Sequence, residues 1–433
     1  MKKSNVLIAA FFSSASLTAS AAGFALIEQS ASGMGNAFAG GSAAAEDAST
    51  IFFNPAGMTY LPDSQLVVSG HAIRPSADFS NNGSHSALGA PTAGGNGGDA
   101  GDLSLIPNIF FSKAITPDIK LGIGISAPFG LKTDYQNGWV GRYQALKSEL
   151  NTYNINPSIS FKATDQLSLG FGISAMHASA VLSNAVDIGT LTGAPALRQN
   201  FDGIAHLKGD DWGLGWNAGA IFQFNDTTRL GLAYRSQVHQ KLGGNVDFTL
   251  PAGTPGALAV AFPNGAITAK LTLPDSLSGS LFHQLNDKID VMTDLTWTDW
   301  STFKNLTAIR SSGAVLSNTA ENWKNTVRVS AGATYHYSDA LKLRGGIAYD
   351  ESPVPDASRT ARIPDNDRTW LAFGASYKIT PAADLDVGYT HIFVKSTSIN
   401  KTTDSTLAAL RDVVIGSYDS EVNILSVQVT YNF

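Results

Sequence analysis

The sequence contains no cysteine, and that absence removes disulfides, thiolate metal sites, iron–sulfur clusters and cysteine nucleophiles at once. Charge is also scarce: Asp, Glu, Lys and Arg make up 15% of the residues, against roughly 25% in soluble domains, too little for an ordinary cytosolic enzyme. Long apolar runs are missing. The longest, Val6–Phe12 and Gly256–Phe262 among them, fall far short of the roughly 18–20 residues that a membrane helix needs, which excludes a helical membrane protein. Nor is there a basic excess: 29 Lys and Arg against 35 Asp and Glu leave a net charge of −6, which sets nucleic acid aside as a partner. What is abundant is glycine, 42 of 433 residues. That length allows two or three ordinary domains or one closed barrel.

Met1-Lys2-Lys3, the apolar stretch Val6–Phe12 and the small-residue site Ala19-Ser20-Ala21 follow the order of an export signal, residues 1–21, with cleavage expected before Ala22. Residues 22–63 are rich in Ala, Gly and Ser, show no alternation, and carry Asn54-Pro55-Ala56-Gly57 near their end. Phe24-Ala25-Leu26-Ile27 and Ile51-Phe52-Phe53 call for burial, so this stretch reads as a compact plug with short helical turns.

Residues 64–433 are dominated by a period of two, the spacing that sends successive side chains to opposite faces of a strand. Val327, Val329, Ala331, Ala333, Tyr335 and Tyr337 alternate with Thr326, Arg328, Ser330, Gly332, Thr334 and His336. Strands are expected to begin near Ser64, Leu103, Lys120, Ser148, Gln166, Ile204, Thr228, Ala266, Lys288, Thr326, Ala340, Arg368, Ala383 and Glu421. Fourteen is even, as a bacterial membrane barrel closed by antiparallel hairpins requires. Short links such as Asn225-Asp226, Ser338-Asp339 and Thr380-Pro381 alternate with long ones such as 187–202 and 251–263. A soluble sandwich or an adhesin would alternate too. The membrane reading is favoured because one face of nearly every strand is apolar with aromatic ends while the other is Gly, Ser, Thr and Asn. The chain also ends on an alternating strand, Leu425 to Phe433, with a terminal Phe that looks like a barrel assembly signal.

Three Gly-x-Gly-x-x-Ala stretches begin at Gly122, Gly170 and Gly213, but none opens a helix in a βαβ unit, so they read as small lumen-facing residues that leave space. The eight histidines lack the pairing of a metal site and no Gly-x-Ser-x-Gly elbow is present, so neither a cofactor nor an enzyme activity is expected. The long loops are unusually apolar: Leu191 and Leu197 in one, Leu258, Val260 and Phe262 in another, forming either a lid or a groove for a hydrophobic solute.

Ala22-Gly23-Phe24, Ala45-Glu46-Asp47-Ala48 with Asn54-Pro55-Ala56, Ile204-Ala205-His206-Leu207 with Trp212–Gly219, and Ser352-Pro353-Val354-Pro355 with Arg359, Ile363-Pro364-Asp365, Asp367-Arg368 and Trp370 carry a resemblance. The chain resembles the FadL-type long-chain fatty acid transporters over essentially its whole mature length. The resemblance implies an all-β membrane protein, a 14-stranded antiparallel outer-membrane barrel with an N-terminal hatch in the lumen. It also implies passive, ligand-gated uptake of hydrophobic compounds without TonB coupling, in the outer membrane of a Gram-negative bacterium.

Ligand contact and gating then fall to Phe24, Ile51, Phe52, Phe53, Asn54, Pro55 and Ala56, together with Pro128, Phe129 and Gly130. At those last three, a strand with clean alternation at Leu121, Ile123 and Ile125 is interrupted, so a wall gap is expected there. The positions where better-known members place basic carboxylate ligands fall near Ser183-Asn184 and Ser317–Thr319, which are uncharged; Lys208, Lys324 and Arg328 are the candidate substitutes. Expected partners are a long-chain fatty acid or other hydrophobic small molecule, outer-membrane lipid and the barrel assembly machinery, with the protein as a monomer. Neutral aromatic hydrocarbons and a purely structural or adhesive barrel are the alternatives.

Overall fold

The computed structural model describes residues 23–433; the expected export signal and its cleavage point lie outside them. The strands form one closed antiparallel ring of fourteen staves. Staves 1 to 6 are Ser64–Asn81, Ser104–Thr116, Ile119–Ser126 continued by Gly130–Asp134, Lys147–Lys162, Leu167–Asp187 and Asp202–Asn225. Staves 7 to 10 are each broken in two: Thr228–Arg235 with Val238–Thr249, Gly265–Leu273 with Ser276–Asn286, Ile289–Thr298 with Asn305–Arg310, and Val315–Ala320 with Thr326–His336. Staves 11 to 14 are Leu341–Asp350, Arg368–Thr380, Ala383–Val394 continued by Thr397–Thr402, and Val413–Asn432. Stave 1 pairs with stave 14 from Gln65↔Asn432 to Asn81↔Gly416, which closes the ring and leaves no sheet edge along that seam. No helix among the described residues is long and apolar enough to cross a membrane.

The period-two pattern explains which way the side chains face. In stave 14 Leu425, Val427, Val429 and Tyr431 are exposed on the outer face, while Ser426, Gln428 and Thr430 are buried in the lumen. Most expected strand starts agree with the structure to within two residues, but two do not. Stave 10 begins at Val315 rather than near Thr326, and stave 14 at Val413 rather than near Glu421. In stave 14 the outward positions Ser417, Asp419 and Glu421 are polar, because the strand continues past the apolar band; the hydrophobic alternation ends where the hydrocarbon does, not where the strand does. Stave 10 is interrupted by the irregular stretch 321–325, which hides its first segment.

Residues 23–63 lie inside the ring, as a short helix Ala31–Gly35, a helical turn Thr50–Phe53 and a 3-10 turn Pro55–Tyr60. Glycine makes room for them on the inner wall. A β-carbon at Gly170 would stand 2.2 Å from the Ala56 nitrogen, one at Gly231 1.9 Å from the Ser42 oxygen, and one at Gly346 2.2 Å from the Asn36 carbonyl carbon. Of the three Gly-x-Gly-x-x-Ala stretches, those at Gly122 and Gly170 serve this purpose, while Gly213 faces Val238 and Gln240 of the adjoining stave. The segment is also tied by charge. Arg344 of stave 11 bonds Glu46 of the segment at 2.9 Å and Asp386 of stave 13 at 2.7 Å, and Asp47 accepts from Ser32 at 2.6 Å and from Gln428 at 2.8 Å.

Candidate functional site

Stave 3 stops pairing with stave 2 at Ile125↔Ile109, and stave 2 continues to Ser104 with no partner on that side. The reason is Ala127-Pro128-Phe129: proline has no N–H for a ladder, so the chain swings inward before Gly130 resumes pairing with stave 4. The backbone freed by the swing is taken up by the N-terminal segment. Leu26 N–H donates to the Pro128 carbonyl at 2.7 Å and Gly130 N–H to the Phe24 carbonyl at 2.9 Å. Higher up the wall closes again, through Asp134 N–H to the Ala100 carbonyl and the Lys132–Asp102 ion pair at 2.6 Å. The result is a window bounded by 104–108 and 127–131. It is plugged from within by residues 24–29: the Gln29 amide donates to the Ala127 carbonyl at 3.3 Å and Asn108 donates to the Glu28 carbonyl at 2.9 Å.

Two largely apolar cavities lie along the barrel interior. The outer one, about 410 Å³, sits at the long-loop end and is walled by Leu182, Leu242, Phe248, Phe262, Ile267 and Leu306, with Arg310, Arg362, Lys401 and Asp412 among its polar groups. The inner one, about 150 Å³, borders the window and is lined by Ala25, Phe52, Phe53, Pro128, Phe129 and Trp300, with Arg235, Arg328, Asp294 and Asp350. One continuous apolar cluster joins them, since it includes Leu242 and Leu306 of the outer cavity and Phe129 and Trp300 of the inner one. At its centre Phe24, 2% exposed, packs against Trp300 at 4.6 Å, Trp323 at 5.3 Å, Phe303 at 5.6 Å and Phe129 at 6.1 Å. Gly23 before it has φ +64, and its N–H donates at 3.0 Å to Asp365, which also pairs with Arg368. The loop after stave 11, residues 351–367, thus dips in to hold the start of the plug.

Arg362 on that loop is the group the sequence reading missed. Its guanidinium reaches only neutral acceptors: the Lys147 carbonyl at 3.2 Å, Ser148 Oγ at 3.0 Å, the Ser183 carbonyl at 3.4 Å and Asn184 Oδ1 at 3.4 Å. Burial pulls its pKa down to about 10, which still leaves it a cation at neutral pH. The nearest carboxyl acting on it, Glu321 in the irregular stretch 321–325, is itself pushed up to about 7 by burial. Arg362 therefore stands as a cation without an ion pair among the described residues, at the uncharged Ser183-Asn184 position and facing an apolar chamber.

The other sequence candidates are placed as follows. Phe52 and Phe53 line the inner cavity, whereas Ile51 is buried against Gly122 and Gly124 of stave 3. Asn54, Pro55 and Ala56 line neither cavity. Asn54 donates to the Ser42 carbonyl at 2.7 Å and the Ala220 carbonyl at 3.1 Å and accepts from Ala56 N–H at 3.0 Å, so this tripeptide fastens the plug to the wall. Pro128 and Phe129 border the inner cavity and Gly130 restarts stave 3. In the loops, Phe262 lines the outer cavity, and Leu191 and Leu258 pack beside it on Ile188 and Leu410. Leu197 and Val260, at 37% and 80% exposure, lie outside both cavities. Arg328 lines the inner cavity, donates to the Ala37 carbonyl at 2.6 Å and lies 5.0 Å over the Trp370 ring. Lys208 borders the outer cavity but is exposed, on the outward parity of stave 6 with Ile204 and Trp212; Lys324 is exposed and lines neither cavity.

The family model described as outer membrane protein transport protein (OMPP1/FadL/TodX) matches residues 12–433. The chain belongs to this family. Outer membrane protein P1 of Haemophilus influenzae is 32% identical over 473 residues, covering 100% of both chains. The long-chain fatty acid transport protein of Escherichia coli K12 is 31% identical over 409 residues, covering 88% of this chain and 90% of its own. Among solved structures, a Pseudomonas aeruginosa FadL homologue superposes with a TM-score of 0.88 at 27% identity, covering 95% of this chain and 100% of that one. This FadL/TodX-family member is an outer-membrane transporter of hydrophobic compounds, not an enzyme.

Asp412 gives the outer cavity a pH dependence. Burial, reinforced by Asp187 and Asp202, raises its pKa from the usual carboxylate range to about 6. Below that pH it is neutral; above it the cavity gains a negative charge. Affinity for a permanently anionic amphiphile such as dodecylsulfonate should therefore fall between pH 5 and pH 7.5. The expected drop is roughly fivefold, the effect of about 1 kcal/mol for one added charge in a partly solvated site. D412N should remove the part of the drop centred near pH 6 in an equilibrium titration and leave the part that follows Glu321 near pH 7.

Proposed function

We propose that the protein takes long-chain fatty acids across the outer membrane by passive diffusion, gated by residues 23–63 acting as a hatch. The observation that carries this reading is a guanidinium, Arg362, that has no ion-pair partner among the described residues and is set into the wall of a largely apolar cavity of ligand size. A long alkyl chain gains about 0.8 kcal/mol for each methylene it buries, so ten buried methylenes supply about 8 kcal/mol without any chemistry. The carboxylate needs a cation or amide donors, because burying it unpaired is costly. Arg362 with Asn184 beside it provides both.

From the outer cavity the chain end passes the Phe24 cluster to the inner cavity, where Arg235 and Arg328 wait with Phe52 and Phe53. The Phe24 ring is held by packing, while its carbonyl accepts from Gly130 N–H and the preceding Gly23 donates to Asp365, so a ligand that displaces the ring also loosens Leu26 and Gly130 at the window. Release then runs sideways into the bilayer, which suits an alkyl chain better than a watery exit. The name of the E. coli relative agrees with this substrate class. Equilibrium binding to the purified barrel decides between substrates: saturable binding of oleate with none of toluene is expected, and the reverse would transfer the function to neutral aromatic hydrocarbons. Binding of neither would place the transported compound in another hydrophobic class.

A further inference from the structure

Five consecutive staves each present one exposed lysine beyond the loop-side end of their apolar outer face: Lys208 on stave 6, Lys241 on stave 7, Lys270 on stave 8, Lys304 following the break of stave 9 and Lys324 before the second segment of stave 10. Below them, toward the short turns, the same staves expose Trp212 and Leu214, Leu232, Leu277, Leu295 and Val329 to the bilayer. Long loops face outward in such barrels, so the lysines lie at the level of the outer leaflet's headgroups. Lys241 and Lys270 are direct cross-strand partners, and like charges so placed repel unless an anion sits between them. Lys304 and the stretch leading to Lys324 are bonded to each other, through Glu321 and Asn322 N–H to the Lys304 carbonyl. None of the five lysines is in an ion pair among the described residues.

The acids at this end are engaged or set apart. Asp210 pairs with His177 at 3.1 Å, the Asp211 carboxylate accepts the backbone N–H of Lys241 at 2.6 Å, and Asp247 stands opposite His206. Elsewhere on the barrel the same level is balanced or acidic: Lys132 pairs with Asp102, Lys147 with Glu149, and stave 14 exposes Asp419 and Glu421. We propose that the lysine face on staves 6 to 10 binds the phosphoryl groups of the glycolipid in the outer leaflet, so that the barrel carries a fixed lipid on the side away from its window. Cross-strand Cβ atoms stand about 5 Å apart, which lets the Lys241 and Lys270 ammonium groups converge on one phosphate.

The test is native mass spectrometry of the folded, detergent-purified protein titrated with bisphosphorylated lipid A, dephosphorylated lipid A or inorganic phosphate. Lipid A adducts are expected on the wild type and on K241R/K270R/K304R. Affinity should fall about a hundredfold in K241Q/K270Q/K304Q, from roughly the surface electrostatic contribution of three lysines, with heat-modifiability on gels unchanged. Dephosphorylated lipid A should bind as weakly as lipid A does to the glutamine variant. Equal binding of lipid A to wild type and glutamine variant, or of the two lipids to wild type, overturns the proposal; displacement of lipid A by millimolar inorganic phosphate would show a free-anion site instead.

Discussion

R362Q should lower oleate affinity by roughly 10- to 150-fold, the worth of about 1.5–3 kcal/mol for a hydrogen bond to a charged group, while oleyl alcohol, with the same chain and no charge, should bind as before. The neutral alcohol is the control that matters, because Arg362 also fastens its loop to staves 4 and 5 through Ser148, Lys147 and Ser183. A variant whose loop had come loose would lose both ligands together. R362K should recover only part of the difference, since an ammonium is a point charge and cannot offer the planar fork that a carboxylate fits. Unchanged oleate affinity in R362Q, measured with the oleyl alcohol control intact, would remove Arg362 from the head-group site and return attention to Arg310 and Lys401 on the same wall.

The barrel was legible in the sequence because a half-lipid, half-lumen environment imposes the same alternation on every stave, whatever the local propensity. That signal fails where the environment changes. Stave 14 runs eight residues above the expected start because Ser417 and Asp419 face water rather than lipid, and the first segment of stave 10 is separated from the second by 321–325. Staves 7 to 10 all break near one level, at Ser236-Gln237, Pro274-Asp275, 299–304 and 321–325, and only the proline announces its break in sequence. The interruption at Ala127–Phe129 was readable for the same reason: proline cannot join a ladder and its neighbours alternate cleanly.

Site residues were harder to read, for a geometric reason. Lys208 and Lys324 are the right chemistry in the right part of the chain, but both side chains are exposed: on stave 6 a one-residue change of parity decides between lumen and lipid, and Lys324 sits in the irregular stretch 321–325. Arg362 sits in a loop, where no period applies. Its neighbours Arg359, Ile363-Pro364-Asp365 and Arg368 form a motif in the sequence, and the structure shows why that motif is dense in charge. Asp365 ties Arg368, Ser352 and the Gly23 N–H together, so the loop is folded back into the barrel and carries Arg362 in with it. A cation between Arg359 and the Asp365–Arg368 pair, in a loop otherwise rich in proline, is the available signal.

Closing the window should stop uptake without touching binding. Ile106 on the free edge of stave 2 and Ala127 at the swing of stave 3 belong to one packed cluster, on opposite sides of the opening. The native chain has no cysteine, so I106C/A127C introduces the only two thiols and a short bis-maleimide can join them without side products. In the joined protein the stave 3 swing can no longer move away from stave 2, and the Leu26 and Gly130 contacts that plug the gap are locked in. Oleate should still titrate the purified protein with wild-type affinity, because the outer cavity lies across the Phe24 cluster from the window. Uptake of labelled oleate by cells carrying the joined protein should fall to the level of cells without it, while the same double variant left unjoined transports normally. If joined and unjoined proteins transport equally, the alkyl chain does not leave through the wall. The remaining way out would be the polar chamber beneath the hatch, where Glu46, Arg344 and Asp386 meet, and breaking that contact with E46Q would then become the productive experiment.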